Sequence, residues 1–188
     1  MLNAFQERLN KQFRKTSISG PPAPWLQHAT LHAGGLQAVG FTEAEEYLLV
    51  ISADGRGLFE LPSGHRVARD RDFAGPWWDV MHLRAQPLAP AKDEWVTVAG
   101  IHGGGLLRVT EDGWSLERIA PDWPNEFVFL FPPGATPFAV TANPQGYNLG
   151  PFAEGEAIRA YGFSPSGSYF LIATGAEVFL FGRASGAR

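Results

Sequence analysis

Residues 40–64 recur at residues 162–186. Sliding the chain against itself by 122 positions pairs Gly40 with Gly162, Phe41 with Phe163, Tyr47 with Tyr169 and Leu49 with Leu171. Without a gap it goes on to pair Leu58 with Leu180, Phe59 with Phe181, Ser63 with Ser185 and Gly64 with Gly186: eight identities in 25 positions. Thr42/Ser164, Val50/Ile172 and Ser52/Thr174 are conservative besides. Each copy reads as apolar entry, polar turn, apolar strand, small-residue turn, second strand and a Ser-Gly turn, a hairpin whose register is fixed at both ends. A weaker copy at an offset of 48 puts Trp95 in the Tyr47 place, Val98 in the Val50 place and Leu106-Leu107 in the Leu58-Phe59 place. A fourth unit centres on Phe127–Phe131, where Pro132 and Pro133 obscure the alignment.

Strand-like runs cover the rest of the body. Tyr47–Ser52, Trp95–Ala99, Leu106–Thr110, Phe127–Phe131, Phe138–Thr141, Tyr169–Thr174 and Glu177–Phe181 are rich in β-branched and aromatic residues and are bounded by turn formers. The 15 prolines and 22 glycines supply those turns. Only the N-terminus has a helical period: Leu2, Phe5, Leu9 and Phe13 make one stripe, with Arg8, Lys11, Arg14 and Lys15 between them. That pattern predicts a short amphipathic helix over 1–16 that docks on the protein's own body. The Ser17–Pro24 breaker cluster (17–24) is then an extended linker, and 25–188 is a single β-domain of about four units.

The second copy, Gly162-Phe-Ser-Pro-Ser-Gly-Ser-Tyr-Phe-Leu-Ile-Ala-Thr-Gly followed by Phe179-Leu180-Phe181, resembles a WD40-like β-propeller blade. In the first copy Ser52-Ala53-Asp54-Gly55 forms the turn, and Leu58-Phe59-Glu60-Leu61 stands where such blades carry their Trp-Asp strand. The resemblance implies an all-β fold of blade-like antiparallel hairpins or meanders, with Trp25–Leu31 as the strand that closes the C-terminal blade. Phe59 and Phe181 replace the Trp of the family, and Glu60 and Gly182 replace its Asp. The family's His-Ser-Asp-Trp network is therefore not carried over. At ~40–45 residues per blade, 188 residues allow only about four. Three architectures are open: a miniature propeller, an arc completed by oligomerisation, or a twisted assembly of blade-like hairpins.

Charge narrows the partners. Fifteen Lys and Arg against 19 Asp and Glu give a net charge of −4, no global attraction to nucleic acid or an anionic membrane. No segment approaches the ~20 apolar residues of a spanning helix, and the N-terminus lacks the apolar core of a secretion signal. The expectation is a cytoplasmic protein, and the Ala-, Gly-, Pro- and Arg-rich composition points to a bacterial source. With no cysteine, thiolate metal sites and thiol nucleophiles are excluded.

No motif carries recognisable catalysis. His28 and His32 have zinc-ligand spacing only on a helix; in the extended chain expected here they stand ~13 Å apart. Gly103-Gly104-Gly105 lacks the Lys-Ser/Thr of a phosphate loop and reads as a turn, and in Gly55-Arg56-Gly57 the third glycine position holds Glu60. Gly162-Phe-Ser164-Pro-Ser166 lacks the final Gly of a nucleophile elbow. Glu43, Glu45 and Glu46 read as a solvated turn, and Asp70-Arg71-Asp72 as a surface strand with local ion pairs. No catalytic residue, metal or cofactor is therefore expected.

Arg69–His82, RDRDFAGPWWDVMH, is the densest mixture of charge and aromatic rings. Adjacent Trp77 and Trp78 on an extended chain point to opposite faces; either both rings are buried between sheet and loop, or one is exposed beside Arg71, Asp79 and His82. These five are the candidate binding residues, with Trp114 and Trp123 marking a weaker second region. The functional expectation is a non-enzymatic protein-interaction module, of the immunity, accessory or scaffold type, binding another protein as a monomer or small homo-oligomer. The alternative is a small-ligand or glycan binder using Trp77, Trp78 or Trp123. A hydrolase comes third, and would need Asp54, Asp79 or His102 to converge.

Overall fold

A computed structural model describes residues 4–122, 124–138, 146–152 and 157–184. Among these described residues one helix, α1 (Ala4–Lys15), precedes fifteen strands arranged in antiparallel sheets. The first sheet contains β2 (Leu36–Phe41), β3 (Tyr47–Ser52), β4 (Gly55–Glu60) and β5 (Arg66–Asp70) as a meander. A second, small sheet joins β6 (Trp78–Asp79), β7 (Arg84–Ala85) and β8 (Val96–Thr97), after which β9 (Ala99–Gly100) pairs back onto β2. A third combines β10 (Ser115–Asp122), β11 (Asn125–Phe131) and β12 (Tyr147–Gly150). The fourth runs β13 (Ala160–Phe163), β14 (Tyr169–Ala173) and β15 (Glu177–Arg183), with β1 (Trp25–His32) added outside β15.

The repeat is structural. β2-β3-β4 and β13-β14-β15 occupy equivalent positions, and the conservative pair Thr42/Ser164 makes the same turn in both. Thr42 N–H donates to Tyr47 O while Thr42 Oγ1 accepts from Tyr47 N–H at 3.0 Å; Ser164 does the same with Tyr169, its Oγ accepting at 3.2 Å. Thr110 and Trp114 repeat the device before β10. Trp25–Leu31 forms the expected outer strand: β1 pairs with β15 from Trp25 opposite Arg183 to His32 opposite Glu177.

The offset-48 copy does not fold as one hairpin. Residues 95–99 divide between β8 in the small sheet and β9 on β2, while Leu106-Leu107 makes only a bridge from Leu107 to Phe163. Leu106–Thr110 is therefore an irregular crossing, and of Phe138–Thr141 only the exposed Phe138 is described. The Phe127–Phe131 unit is a genuine sheet.

The central strands are apolar at successive positions because both their faces are buried. Leu48 and Val50 pack with Leu171, Val178 and Leu180 of the fourth sheet, whereas Leu49 and Ile51 pack with Trp77, Ala85 and Val96 beneath the small sheet. The fourth sheet turns Phe170 and Ile172 toward Leu116, Val128 and Leu130 of the third. The third sheet's other face presents Phe129 and Phe131, and α1 covers it: Phe13 lies edge-on to Phe129 at 5.0 Å. Arg14 fixes the helix further by donating to Pro121 O. Among the described residues the layers follow one another as small sheet, first, fourth and third sheet, then helix. The helical stripe docks through Phe13 and Leu9, while Phe5 stays largely exposed and Leu2 lies outside the described residues.

Two polar links join neighbouring units. Glu45 accepts from Ser164 Oγ at 2.9 Å and from Ser166 N–H and Oγ–H. It sits at φ +54°, where the second copy has Gly167 at φ +71°. A left-handed glutamate costs about 1 kcal/mol, offset by three hydrogen bonds across the two copies. The acidic turn is thus a cross-link, with Glu43, Ala44 and Glu46 left exposed.

The second link is Arg183, which donates two bonds to Asp112 at 2.7 and 2.8 Å and lies over the Trp25 ring. The Arg183 bonds, helped by the Thr110 hydroxyl and opposed by desolvation, lower the Asp112 carboxyl to about 2. A carboxyl depressed on folding contributes stability above its unfolded value near 3.9 and loses it as pH falls toward 2. Asp112 is half exposed, so screening limits the gain to about 1 kcal/mol. Asp112→Asn should cost that much at pH 7 and only a small part of it at pH 2, measured by urea midpoints. An equal deficit at both pH values would refute the link.

Candidate functional site

The candidate residues lie around a hairpin whose strands, β6 and β7, are only two residues long. Its turn is held by Asp79: the carboxylate accepts from His82 N–H at 3.1 Å, faces His82 Nδ1 at 2.8 Å and accepts from Arg84 Nε at 3.2 Å. Leu83 adopts φ +51° to close it. Desolvation pushes the Asp79 carboxyl up, but the His82 amide and ring and the Arg84 guanidinium outweigh it and hold it below its ordinary value. Because the carboxylate ties the turn down, Val80 and Met81 are left at its tip, and Met81 is 88% exposed.

The two tryptophans do not diverge. Trp77 precedes β6, outside the extended stretch, so strand alternation does not separate the rings; they lie 15° from parallel with centroids 5.9 Å apart. Trp77 is a buried anchor of the core between the small and first sheets, with the Arg56 guanidinium 4.4 Å over its ring. Trp78 is half-buried and meets His102 edge-on at 5.5 Å. Asp79 and His82 are joined, as expected of neighbours in one site. Arg71 is exposed and, among the described residues, no hydrogen bond, ion pair or cation–π contact joins it to Trp78, Asp79 or His82. Of the weaker pair, Trp114 is a core residue 6.0 Å from Trp25, and Trp123 lies outside the described residues.

Other suspected groups are dispersed. His28 packs near Tyr169 and His32 pairs with Glu177 at 3.0 Å, both on the extended β1. Asp54 pairs with Arg69 at the β3–β4 turn and Asp79 with His82 and Arg84, while His102 meets Trp78, so the three make separate contacts. Gly100 and Gly103 exchange backbone hydrogen bonds, so the glycine run closes a tight turn with Ile101 and His102 at its tip.

Sequence reading misses a cleft of about 420 Å³ beside the hairpin. Its lining includes Phe41 and Phe163, the equivalent residues of the two repeat copies, together with Trp95, Leu106 and Leu107. Glu43 and Glu94 complete it, joined by a 3.0 Å hydrogen bond from Glu43 N–H to Glu94 Oε2. Trp95 is 42% exposed, and Arg84, already held by Asp79, places its guanidinium 4.8 Å from the ring centroid. Asp79 thus connects hairpin and cleft through Arg84. Trp95 stands out in the sequence only as one more strand residue, because its neighbours in the cleft come from distant segments. No known protein-family model matches the chain, and no curated protein is detectably similar to it in sequence.

Proposed function

We propose that the chain is a non-enzymatic protein-interaction module. The observation that carries this reading is the apolar cleft with Trp95 and Leu107 exposed on its rim; Val80, Met81 and Ile101 are exposed on separate turns. Large apolar groups grouped on a surface mark interaction sites, because each costs solvation until a partner covers it. A sugar-stacking alternative is weaker, since Trp77 is buried and the Trp78 ring is already stacked on Trp77 and met by His102.

In architecture, this reading takes the protein as an arc of four blade-like sheets. The outer position of β1 on the last sheet supports this reading, since a propeller's C-terminal blade would be closed by such an N-terminal strand. The cover that α1 gives to the third sheet favours an arc over a ring, because Phe13 fills a face on which a further blade would pack. A rigid arc presenting short hairpins and turns suits a scaffold or accessory protein.

Photo-crosslinking tests the proposal. With benzoylphenylalanine in place of Leu107, one discrete adduct should form in cells of the natural host and disappear when Trp95→Asp, on the same rim, is added. The same probe at Val67, exposed on edge strand β5, should give none. Equal adducts at both positions, or none at Leu107, would overturn the reading.

A further inference from the structure

The cleft has a specific chemistry. Its walls are apolar and aromatic, contributed by Trp95, Phe41, Phe163 and Leu107, while its two acidic residues, Glu43 and Glu94, are neighbours because the Glu94 carboxylate accepts from Glu43 N–H. Among the described residues neither carboxylate has an ion-pair partner. Arg84, the cation at Trp95, turns its Nε to Asp79 instead.

The repeat shows that this charge is particular to one copy. Phe41 and Phe163 are equivalent, but two positions later the first copy has Glu43 and the second Pro165, and both line the cleft. Aromatic walls favour a cation through the ring quadrupole, apolar walls favour an alkyl chain, and two neighbouring acidic residues favour a positive terminus. Arg84 over Trp95 displays the first of these preferences within the chain itself.

We propose that the cleft receives the side chain of an Arg or Lys on the surface of the partner protein, its alkyl stem against Trp95 and Leu107 and its charged head between Glu43 and Glu94. This inference rests on the interaction-module reading and supplies the partner's anchor. A single long side chain entering a preformed pocket is a common form of binding hot spot. The net charge of −4 acts in the same direction by favouring a basic partner.

The test uses the whole chain and n-hexylguanidinium as the probe, with hexanol and hexanoate as neutral and anionic counterparts. The indole N–H resonance of Trp95, assigned by its loss in Trp95→Phe, reports occupancy. Hexylguanidinium should shift it saturably. In the double variant Glu43→Gln, Glu94→Gln the affinity should fall about ten-fold or more. The carboxamide introduced at position 94 still offers an oxygen to the backbone N–H of residue 43, so the local fold survives. Unchanged resonances of the five other tryptophans check that fold. Hexanol binding as tightly as the guanidinium, an unaffected double variant, or no shift with any probe would each overturn the proposal. A Leu107 adduct without guanidinium binding leaves the interaction reading standing and removes the cationic anchor. Guanidinium binding without an adduct does the reverse.

Discussion

Trp25→Ala should lower stability by about 4 kcal/mol, the largest loss expected from any single truncation in this chain. Trp25 has no exposed surface and lies 5.0–6.0 Å, centroid to centroid, from Phe170, Phe163 and Trp114. On its remaining side the Arg183 guanidinium is 4.7 Å from the ring centroid. Removing the ring therefore opens a cavity between the third and fourth sheets and takes the support from the Arg183–Asp112 pair. It also loosens β1, which holds the N-terminal segment to the C-terminal sheet. Trp25→Phe keeps an aromatic in place and should lose less than half as much. Urea denaturation followed by far-UV circular dichroism measures both, and Trp95→Ala, at an exposed rim, should stay within about 1 kcal/mol of wild type. A Trp25→Ala loss no greater than that of Trp95→Ala would show that the two sheets do not depend on this ring.

What can be read from the sequence follows the range of the interactions involved. The two gap-free copies are legible because every element of a hairpin meander is local: entry, hydroxyl-bridged turn, strand, turn, strand. Trp25–Leu31 is legible as the outer strand because the blade resemblance supplies its distant partner. The offset-48 copy misleads, because its Trp and Leu positions match by residue type while Val96-Thr97 and Ala99-Gly100 bond to different sheets. Glu45 looks like a solvated charge because its partners, Ser164 and Ser166, lie about 120 residues away. Within the candidate site, Asp79 and His82 come together because three residues separate them, whereas divergence of Trp77 and Trp78 requires an extended backbone that begins only at Trp78. The cleft has no local signature at all. Its Phe41 and Phe163 are visible as repeat identities, but nothing in one dimension shows that equivalent residues of two copies meet the same hollow.

The paired glycines of the repeat carry the other large effect. Gly40 and Gly162 look interchangeable in the sequence, and in both the missing side chain makes room for the backbone of a neighbouring segment. A Cβ on Gly40 would come within 2.5 Å of Thr97 O and 2.6 Å of Val96 Cγ1. One on Gly162 would meet Leu106 Cβ at 2.5 Å and Leu107 O at 2.6 Å. Gly162 also has φ +148°, a conformation that side-chain-bearing residues rarely adopt, and no such strain applies at Gly40. Overpacking alone accounts for about 2 kcal/mol and the backbone adds about 1 more, so Gly162→Ala should cost about 3 kcal/mol and Gly40→Ala about 2. Gly105→Ala, where a Cβ meets nothing within 4 Å, is the control and should change stability by less than about 0.5 kcal/mol. The order Gly162 > Gly40 > Gly105 in loss of urea midpoint is the result to look for, and equal losses at Gly162 and Gly105 would deny the close approach. Leu106 and Leu107, met at Gly162, and Val96 and Thr97, met at Gly40, all line the cleft, so both substitutions must move its wall and the Trp95 indole resonance should shift in each. The same small residue that lets two chain segments touch thus sets the shape of the surface they present.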